Sequence, residues 1–258
     1  MKLYFANEFV GKVTSEQYGR LPEQIVGAKL KIRKELEELG KEGKLGWTNL
    51  NGGPFFDMCK FADYILNHTN LRITGRNLFH LDMGILKKVL GLMKGPAGID
   101  IPNKRARIYG TGNNPLYWTP LPTMAFAAAN MLRNPLPILN RPIYISTVAN
   151  LTQSALLSAV ESVLGTKFTV EHVDVEKINT NARIALDRGE LAKAMNGLTV
   201  SNQFYEGDSG NDLSTLAENE TVGVPNVSVE DAVRQAIEKW GVEGPVVETL
   251  FLVEACEI

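Results

Sequence analysis

The chain reads as an α/β protein built on a parallel sheet that is incomplete at its N-terminal side, with a mostly helical C-terminal region. Two observations carry this. First, Leu3-Tyr4-Phe5-Ala6-Asn7-Glu8-Phe9-Val10-Gly11 has the character of a strand and its exit. A charged amphipathic helix follows from about Pro22 to Leu39, then a second strand enters Gly52-Gly53-Pro54-Phe55-Phe56-Asp57. Strand, helix and strand in that order make a βαβ unit, whose strands are parallel and seek parallel neighbours on both sides. Second, the chain opens inside the first of these strands, so the neighbour expected on its N-terminal side is missing from the 258 residues.

Within the helix, Ile25, Ala28, Ile32, Leu36 and Leu39 fall on one apolar stripe. Lys29 falls inside it. The other charges, Lys31, Arg33, Lys34, Glu35, Glu37 and Glu38, are placed at its edges, where Lys31/Glu35, Arg33/Glu37 and Lys34/Glu38 pair four residues apart. A lysine on an apolar face snorkels, finds a partner or lowers its pKa, and the last suits it to proton transfer. The residues alone leave these open, with snorkelling favoured.

Asn7-Glu8-Phe9-Val10-Gly11, Lys29-Leu30-Lys31-Ile32-Arg33 and Gly53-Pro54-Phe55-Phe56-Asp57 together resemble the NmrA-like, isoflavone-reductase-like branch of the atypical short-chain dehydrogenases, especially its fungal members. Those proteins carry a Pro-Ser-Glu-Phe-Gly strand end, a Lys-x-Lys-x-Arg helix and a Gly-x-Phe-x-Asp turn. Here Ala6 and Asn7 replace Pro and Ser, and Val10 is inserted. The resemblance implies a Rossmann-type sheet and NADPH as the family's cofactor. It also implies that Lys29 is the catalytic lysine at the nicotinamide ribose, with Asn7, Glu8, Phe9, Lys29, Asn51, Gly52, Gly53 and Phe55 lining the cofactor. Ile25 stands four residues before Lys29, so the Tyr-x-x-x-Lys pair of ordinary short-chain dehydrogenases is absent, as this branch leads one to expect.

Composition narrows the function class. Hydrophobic content of 44% with 22% charged residues is ordinary for a globular protein with a real core. A net charge of −2 without basic runs argues against nucleic acid as a partner. Cys59 and Cys256, with His68, His80 and His172, give neither a disulfide framework nor a metal pattern. No apolar run reaches the length of a membrane span and the Met1 end lacks a signal pattern, so a cytoplasmic protein acting on a small molecule is the expectation.

Residues 1–57 thus read as a remnant of an NAD(P)-binding domain. Residues 59–82 interrupt the pattern: deleting them joins Asp57-Met58 to Met83-Gly84 as in the family. They can be encoded with a GTAAGT donor at Cys59-Lys60-Phe61, an ACTAAC branch point at His68-Thr69-Asn70 and a TTAG end at Leu81-Asp82. This suggests a retained intron, the alternative being a functional lid. Residues 83–258 hold the remaining strands and the substrate region. Gly84 to Met93 suggests a short helix, Arg105 to Tyr109 a strand, and Gly110-Thr111-Gly112 a hairpin-like turn.

A helix capped by Thr123 runs to about Leu132 with a small-residue face of Met124, Ala127, Ala128 and Met131, and Asn134-Pro135 stops it. Arg141 to Thr147 is a strand. Thr152-Gln153 opens a helix ended by Gly165, and Lys167 to Val173 is a half-buried strand. Val175 to Asn196 reads as helical with a break near Gly189. Phe204 and Tyr205 stand where the family places its substrate pocket, a core role being an equal reading. Ser228 caps a helix from Val229 to Trp240, and Glu248 to Val253 has edge-strand character.

A dinucleotide rests on a glycine-rich turn between a strand and a helix N-terminus. The chain reads as lacking such a turn of either the Gly-x-x-Gly-x-x-Gly or the Gly-x-Gly-x-x-Gly kind, and the family places it ahead of the point where this sequence starts. Three functions follow as expectations. One is NAD(P)H-dependent reduction of a small aromatic or carbonyl-containing molecule by the intact protein, this chain being a truncated form that does not bind NADPH. Another is a non-catalytic NmrA-like dinucleotide sensor with a protein partner. The third is a cofactor-free remnant. The uncovered sheet edge leads one to expect self-association.

Overall fold

The computed structural model describes residues 3–8, 11–54, 56, 98–205, 213–240 and 242. The 59–82 segment, the helix expected from Gly84, the 248–253 strand and the side chains of Phe9 and Phe55 lie outside the described residues. The fold is α/β, as expected. Strands β1 (Leu3–Ala6), β2 (Gly46–Asn51) and β5 (Arg141–Tyr144) form a parallel sheet in the order β1-β2-β5, with Tyr4 opposite Trp47 and Leu50 opposite Ile143. Among the described residues β1 pairs only with β2 and is an edge. A second sheet, β3-β4-β6, sets β3 (Ile99–Asp100) antiparallel to β4 (Arg105–Tyr109), and β4 parallel to β6 (Thr169–Val173). Among the described residues, those from 98 onward therefore supply one strand to the first sheet and build the second.

Helices cover both faces of β2, and all six of its residues are buried, the mark of a central parallel strand. One face holds Trp47 with Ala6 and with Leu36 of α3 (Lys29–Lys41). There Gly40 allows close contact: a Cβ on it would lie 2.9 Å from Trp47 Cδ1. The other face packs Leu50, Ile143 and Ile145 against Met124, Ala127 and Met131 of α4 (Leu121–Arg133). Leu50 and Ile143 are fully buried, each contributing about 1.5–3 kcal/mol by transfer from water.

The helix expected from Pro22 to Leu39 is two. Gly27, at φ 68°, receives the chain from α2 (Glu23–Val26) in a left-handed conformation and ends it before α3 begins. A short α1 (Glu16–Gly19) precedes both. The break rotates the buried stripe. Ile32 is 44% exposed, whereas Arg33, Leu36 and Gly40 face the sheet. Arg33, expected at the edge, is at the centre of the face, because its charge has a partner there. Lys31 pairs with Glu23 of α2 at 2.8 Å rather than with Glu35.

The remaining elements follow the sequence with local corrections. Pro120, not Thr123, stands at the N-cap of α4, and Asn134 caps its end. The Gly110–Gly112 turn is not a hairpin: β4 pairs with β3 and β6, and Gly112 O instead accepts from Ser154 N at 2.9 Å. Thr152 caps α5 (Gln153–Leu164) through Ala155 N, and Gly165 ends it at φ 61°. Glu161 accepts from Phe168 N at 2.9 Å, tying α5 to the approach of β6. Val170 is 43% exposed, and Phe168 carries the burial expected of it. Helices α6 (Val175–Asp187) and α7 (Leu191–Phe204) flank the Gly189 break, with Ala182 packed on Leu198, and Ser228 caps α8 (Val229–Trp240) through Asp231 N. The largest core joins β4, α5, α8, Trp118 and Phe204.

One glycine run has the Gly-x-x-Gly-x-x-Gly spacing after all, Gly40 to Gly46. It leads from a helix into a strand: Gly40 lies in α3, Gly43 N donates to Gly40 O at 3.1 Å with φ 68°, and Gly46 opens β2. A dinucleotide turn runs the opposite way, from strand to helix N-terminus. This run is a helix stop.

Candidate functional site

The C-terminal ends of parallel strands are where open α/β sheets bind ligands. Here β1 delivers Asn7 and Glu8, β2 delivers Asn51, Gly52 and Gly53, and β5 delivers Tyr144. Helix α3 returns with Lys29 as its first residue. Asn7 is exposed, Lys29 half-buried, and Glu8, Asn49 and Asn51 are buried.

Glu8 is 2% exposed and sits in a closed network. Arg33 grips it with both Nε, at 3.0 Å, and Nη2. Asn49 Nδ2 donates to Glu8 Oε2 at 2.6 Å, while Asn49 Oδ1 accepts from Ile143 N at 3.2 Å. One amide therefore ties the exit of β1 to β5 across β2. The Arg33 guanidinium lies over Trp47, 4.9 Å from the ring centroid, and its Nη1 is 3.8 Å from Glu37. A fork-to-fork pair of this kind suits arginine in a buried place.

Charge follows burial. Desolvation pushes the Glu8 carboxyl up from the ordinary carboxylate value, and Arg33, Asn49 and Lys29 pull it back. Burial also lowers the Lys29 ammonium, and Glu8 opposes that. A half-buried lysine so placed gives up its proton more readily than one in water. Tyr18, whose hydroxyl reaches Val26 O at 3.5 Å, is pushed up to about 12 by burial, with the negative charge of Glu8 adding to it. Burial raises Tyr117 and Tyr144 as well, Arg33 pulling Tyr144 back. These phenols stay protonated at neutral pH.

The remaining residues of the β2 exit have structural duties. Asn51 Nδ2 donates to Gly11 O, and its Oδ1 accepts from Gly53 N at 3.2 Å, holding the turn against the strand exit of β1. A Cβ on Gly52 would come within 2.6 Å of both Met124 Cε and Thr119 Oγ1. On Gly53, at φ 70°, it would lie 1.9 Å from Tyr117 O. Both glycines thus have a packing reason to be glycine.

Phe204 is 1% exposed, its ring 4.7 Å from that of Tyr109 and edge-on to Trp118 at 6.5 Å. It belongs to the core, the second of the two roles open to it in the sequence. Tyr205 is half-buried; its carbonyl accepts from Asn114 Nδ2, and Arg20 stands 5.9 Å from its ring centroid.

The structure joins Glu8 to Arg33 and Asn49, joins Asn51 to Gly11 and Gly53, and sets Phe204 in a separate core. Sequence reasoning missed Arg33, Asn49, Tyr117 and Tyr144. The signal for Asn49 was there: Asn49 and Asn51 alternate on one face of a strand otherwise suited to full burial, and polar groups in such a place need partners. Among the described residues no cluster of His, Cys, Asp and Glu could hold a metal, and no helix is long and apolar enough to cross a membrane.

No protein-family model matches the sequence, and no curated protein matches it. Solved structures do. The apo form of AtPrR2 superposes with a TM-score of 0.53 at 17% identity, covering 92% of this chain and 64% of that one. An isoflavone reductase gives 0.51 at 20% identity, covering 91% and 65%. The leucoanthocyanidin reductase–NADPH complex from Vitis vinifera gives 0.51 at 13%, covering 92% and 66%. AtPrR2 is also matched in its complex with NADP+ and (+)pinoresinol. The likeness is one of fold, and the chain spans just under two thirds of the length of these reductases.

Proposed function

We propose that this chain is the part of an NAD(P)H-dependent reductase that carries the proton-donating lysine, acting in the intact protein on a small aromatic or carbonyl-containing molecule. The observation that carries the reading is Lys29, half-buried at the strand-end edge with a weakened hold on its proton. A fold shared with structures that hold NADPH or NADP+ supports it. NADPH, when bound, supplies hydride. The chain's own part is to hold the nicotinamide side with Asn7, Glu8, Phe9, Asn51, Gly52, Gly53 and Phe55, and to deliver a proton from Lys29 Nζ to the developing oxyanion, with Tyr205 on the substrate side.

The pyrophosphate cradle is a strand-to-helix glycine turn, and none is formed among the described residues, so the chain alone is not expected to hold NADPH. The test compares the chain with a form carrying such a turn in frame ahead of Met1. The extended form is expected to oxidise NADPH in the presence of quinone or enone substrates. Its Lys29→Met variant is expected to lose about 10²–10⁴-fold in kcat. The 258-residue chain is expected to give no thermal shift with NADPH and to self-associate through the β1 edge in sedimentation. A monomer stabilised by NADPH refutes this.

One observation favours the cofactor-free remnant over both the reductase and the dinucleotide sensor serving a protein partner: the polar groups of Glu8, Asn49 and Asn51 are partnered within the chain. NADPH binding without turnover in the extended form would select the sensor.

A further inference from the structure

Tyr117 reaches from one strand-end loop to the other. Its ring lies against the β2 exit, where a Cβ on Gly53 would meet Cε2 at 2.8 Å and Cδ2 at 2.9 Å. Its hydroxyl lies against the β1 exit, where a Cβ on Gly11 would stand 3.5 Å from Oη and 3.6 Å from Tyr18 Cδ2. The seat is built on both sides. Thr119 N donates to Pro54 O at 3.1 Å, Phe56 N to Thr119 O at 3.0 Å and Leu116 N to Leu151 O at 2.8 Å, so the backbone flanking Tyr117 is fixed. Asn51, bonded to Gly11 O and to Gly53 N, holds the two glycine loops together.

Tyr117 is 4% exposed, and its hydroxyl has no hydrogen-bond partner among the described residues. Thr147 Oγ1 is the one fully buried side-chain polar atom there without a partner, so the Tyr117 hydroxyl is not sealed in the core and reaches solvent. The other phenols at this edge are engaged: Tyr144 bonds to Arg33, and Tyr18 reaches Val26 O at 3.5 Å. We propose that Tyr117 Oη is a ligand-contacting hydrogen-bond donor at the strand-end edge, and that it receives the carbonyl oxygen of a small aromatic molecule. This rests on the reading of that edge as the substrate side of a reductase. Burial and the neighbouring Tyr144 keep the phenol protonated, so at neutral pH it has a proton to donate. Tyr144 and Leu213 pack beside it and give the seat an apolar flank suited to an aromatic ring. A tyrosine kept only for the fold would have the opposite signature: its hydroxyl would be paired within the chain, and removing it would cost stability.

The test reads binding directly, with no cofactor. The 258-residue chain is titrated with acetophenone and with ethylbenzene, which keeps the ring and side chain but lacks the carbonyl oxygen, and both dissociation constants are taken from ligand-observed NMR. Tyr117→Phe leaves the ring on Gly53 and removes only the hydroxyl. It is expected to bind acetophenone roughly three- to tenfold more weakly, to bind ethylbenzene as the parent does, and to unfold at the parent's urea midpoint. A variant that unfolds earlier or fails to fold shows the hydroxyl serving the fold, and overturns the proposal. So does an unchanged affinity for acetophenone, an equal loss for both probes, or a folded parent that binds acetophenone no better than ethylbenzene. Turnover of NADPH by the extended form is a separate readout: binding that depends on the hydroxyl without turnover leaves this inference standing while the reductase reading fails.

Discussion

The Glu8–Arg33 pair makes the sharpest stability prediction, because burial reverses the usual insignificance of an ion pair. Exposed pairs contribute about 0–1 kcal/mol, their attraction being screened by water. Here both side chains are 3% exposed, so removing one leaves the other charge stranded. Arg33→Leu is expected to cost about 3–5 kcal/mol, most of it the penalty of an unpaired buried carboxylate. Tyr144 loses its hydrogen bond with Arg33 in either variant, so what Glu8→Leu/Arg33→Leu adds, in place of the stranded charge, is Asn49 Nδ2 without its acceptor, which costs about 1–3 kcal/mol. The double variant should therefore be no less stable than the single one, and more stable by about 2 kcal/mol at the centre of those ranges. Urea unfolding followed by far-ultraviolet circular dichroism gives all three values, provided the slope with denaturant is unchanged. A single-variant cost below about 1 kcal/mol, or a double variant less stable than the single one, would show that water reaches the pair and would refute the reasoning.

Two further predictions concern the same end of the sheet and the core beside it. Gly53→Ala combines a left-handed backbone, φ 70°, with a Cβ 1.9 Å from the Tyr117 carbonyl. Because that obstacle is backbone and cannot swing aside, the loss should exceed the roughly 1–3 kcal/mol of a strained φ alone, as read from the same urea transitions. Burial raises Tyr18 and Tyr109 to about 12 from 10. Their contribution to stability is complete below pH 10 and is lost as pH rises through 12, where the unfolded chain is already ionised. Lys29 works in the opposite sense, since its lowered folded value means stability is gained as pH rises toward the unfolded 10.5. Phenolate absorbance at 295 nm should accordingly show Tyr109 ionising only near pH 12, and a free-solution titration near 10 would contradict its burial.

Much of the fold was legible because local rules agree with it. The Thr152 cap and Gly165 stop of α5, the Gly189 break, the Ser228 cap, and the Met124/Ala127/Met131 face are short-range features that the backbone and the apolar pattern settle within a few residues. The helix around Lys29 shows where this ends. Its period was right, but its phase was set by Gly27, whose positive φ a pattern of side chains does not reveal. Once α3 starts at Lys29, Arg33 turns to the sheet.

The sequence by itself determined that this is an α/β protein with a βαβ unit and a lysine on the apolar stripe of its helix. Only the tertiary structure decided that Arg33 is interior, that Asn49 stitches three strands together, and that Phe204 is core. The reason is physical: the cost of burying a charge depends on whether an opposite charge lies within hydrogen-bonding reach. Glu8 and Arg33, 25 residues apart in sequence, meet only when β1 and α3 pack against β2.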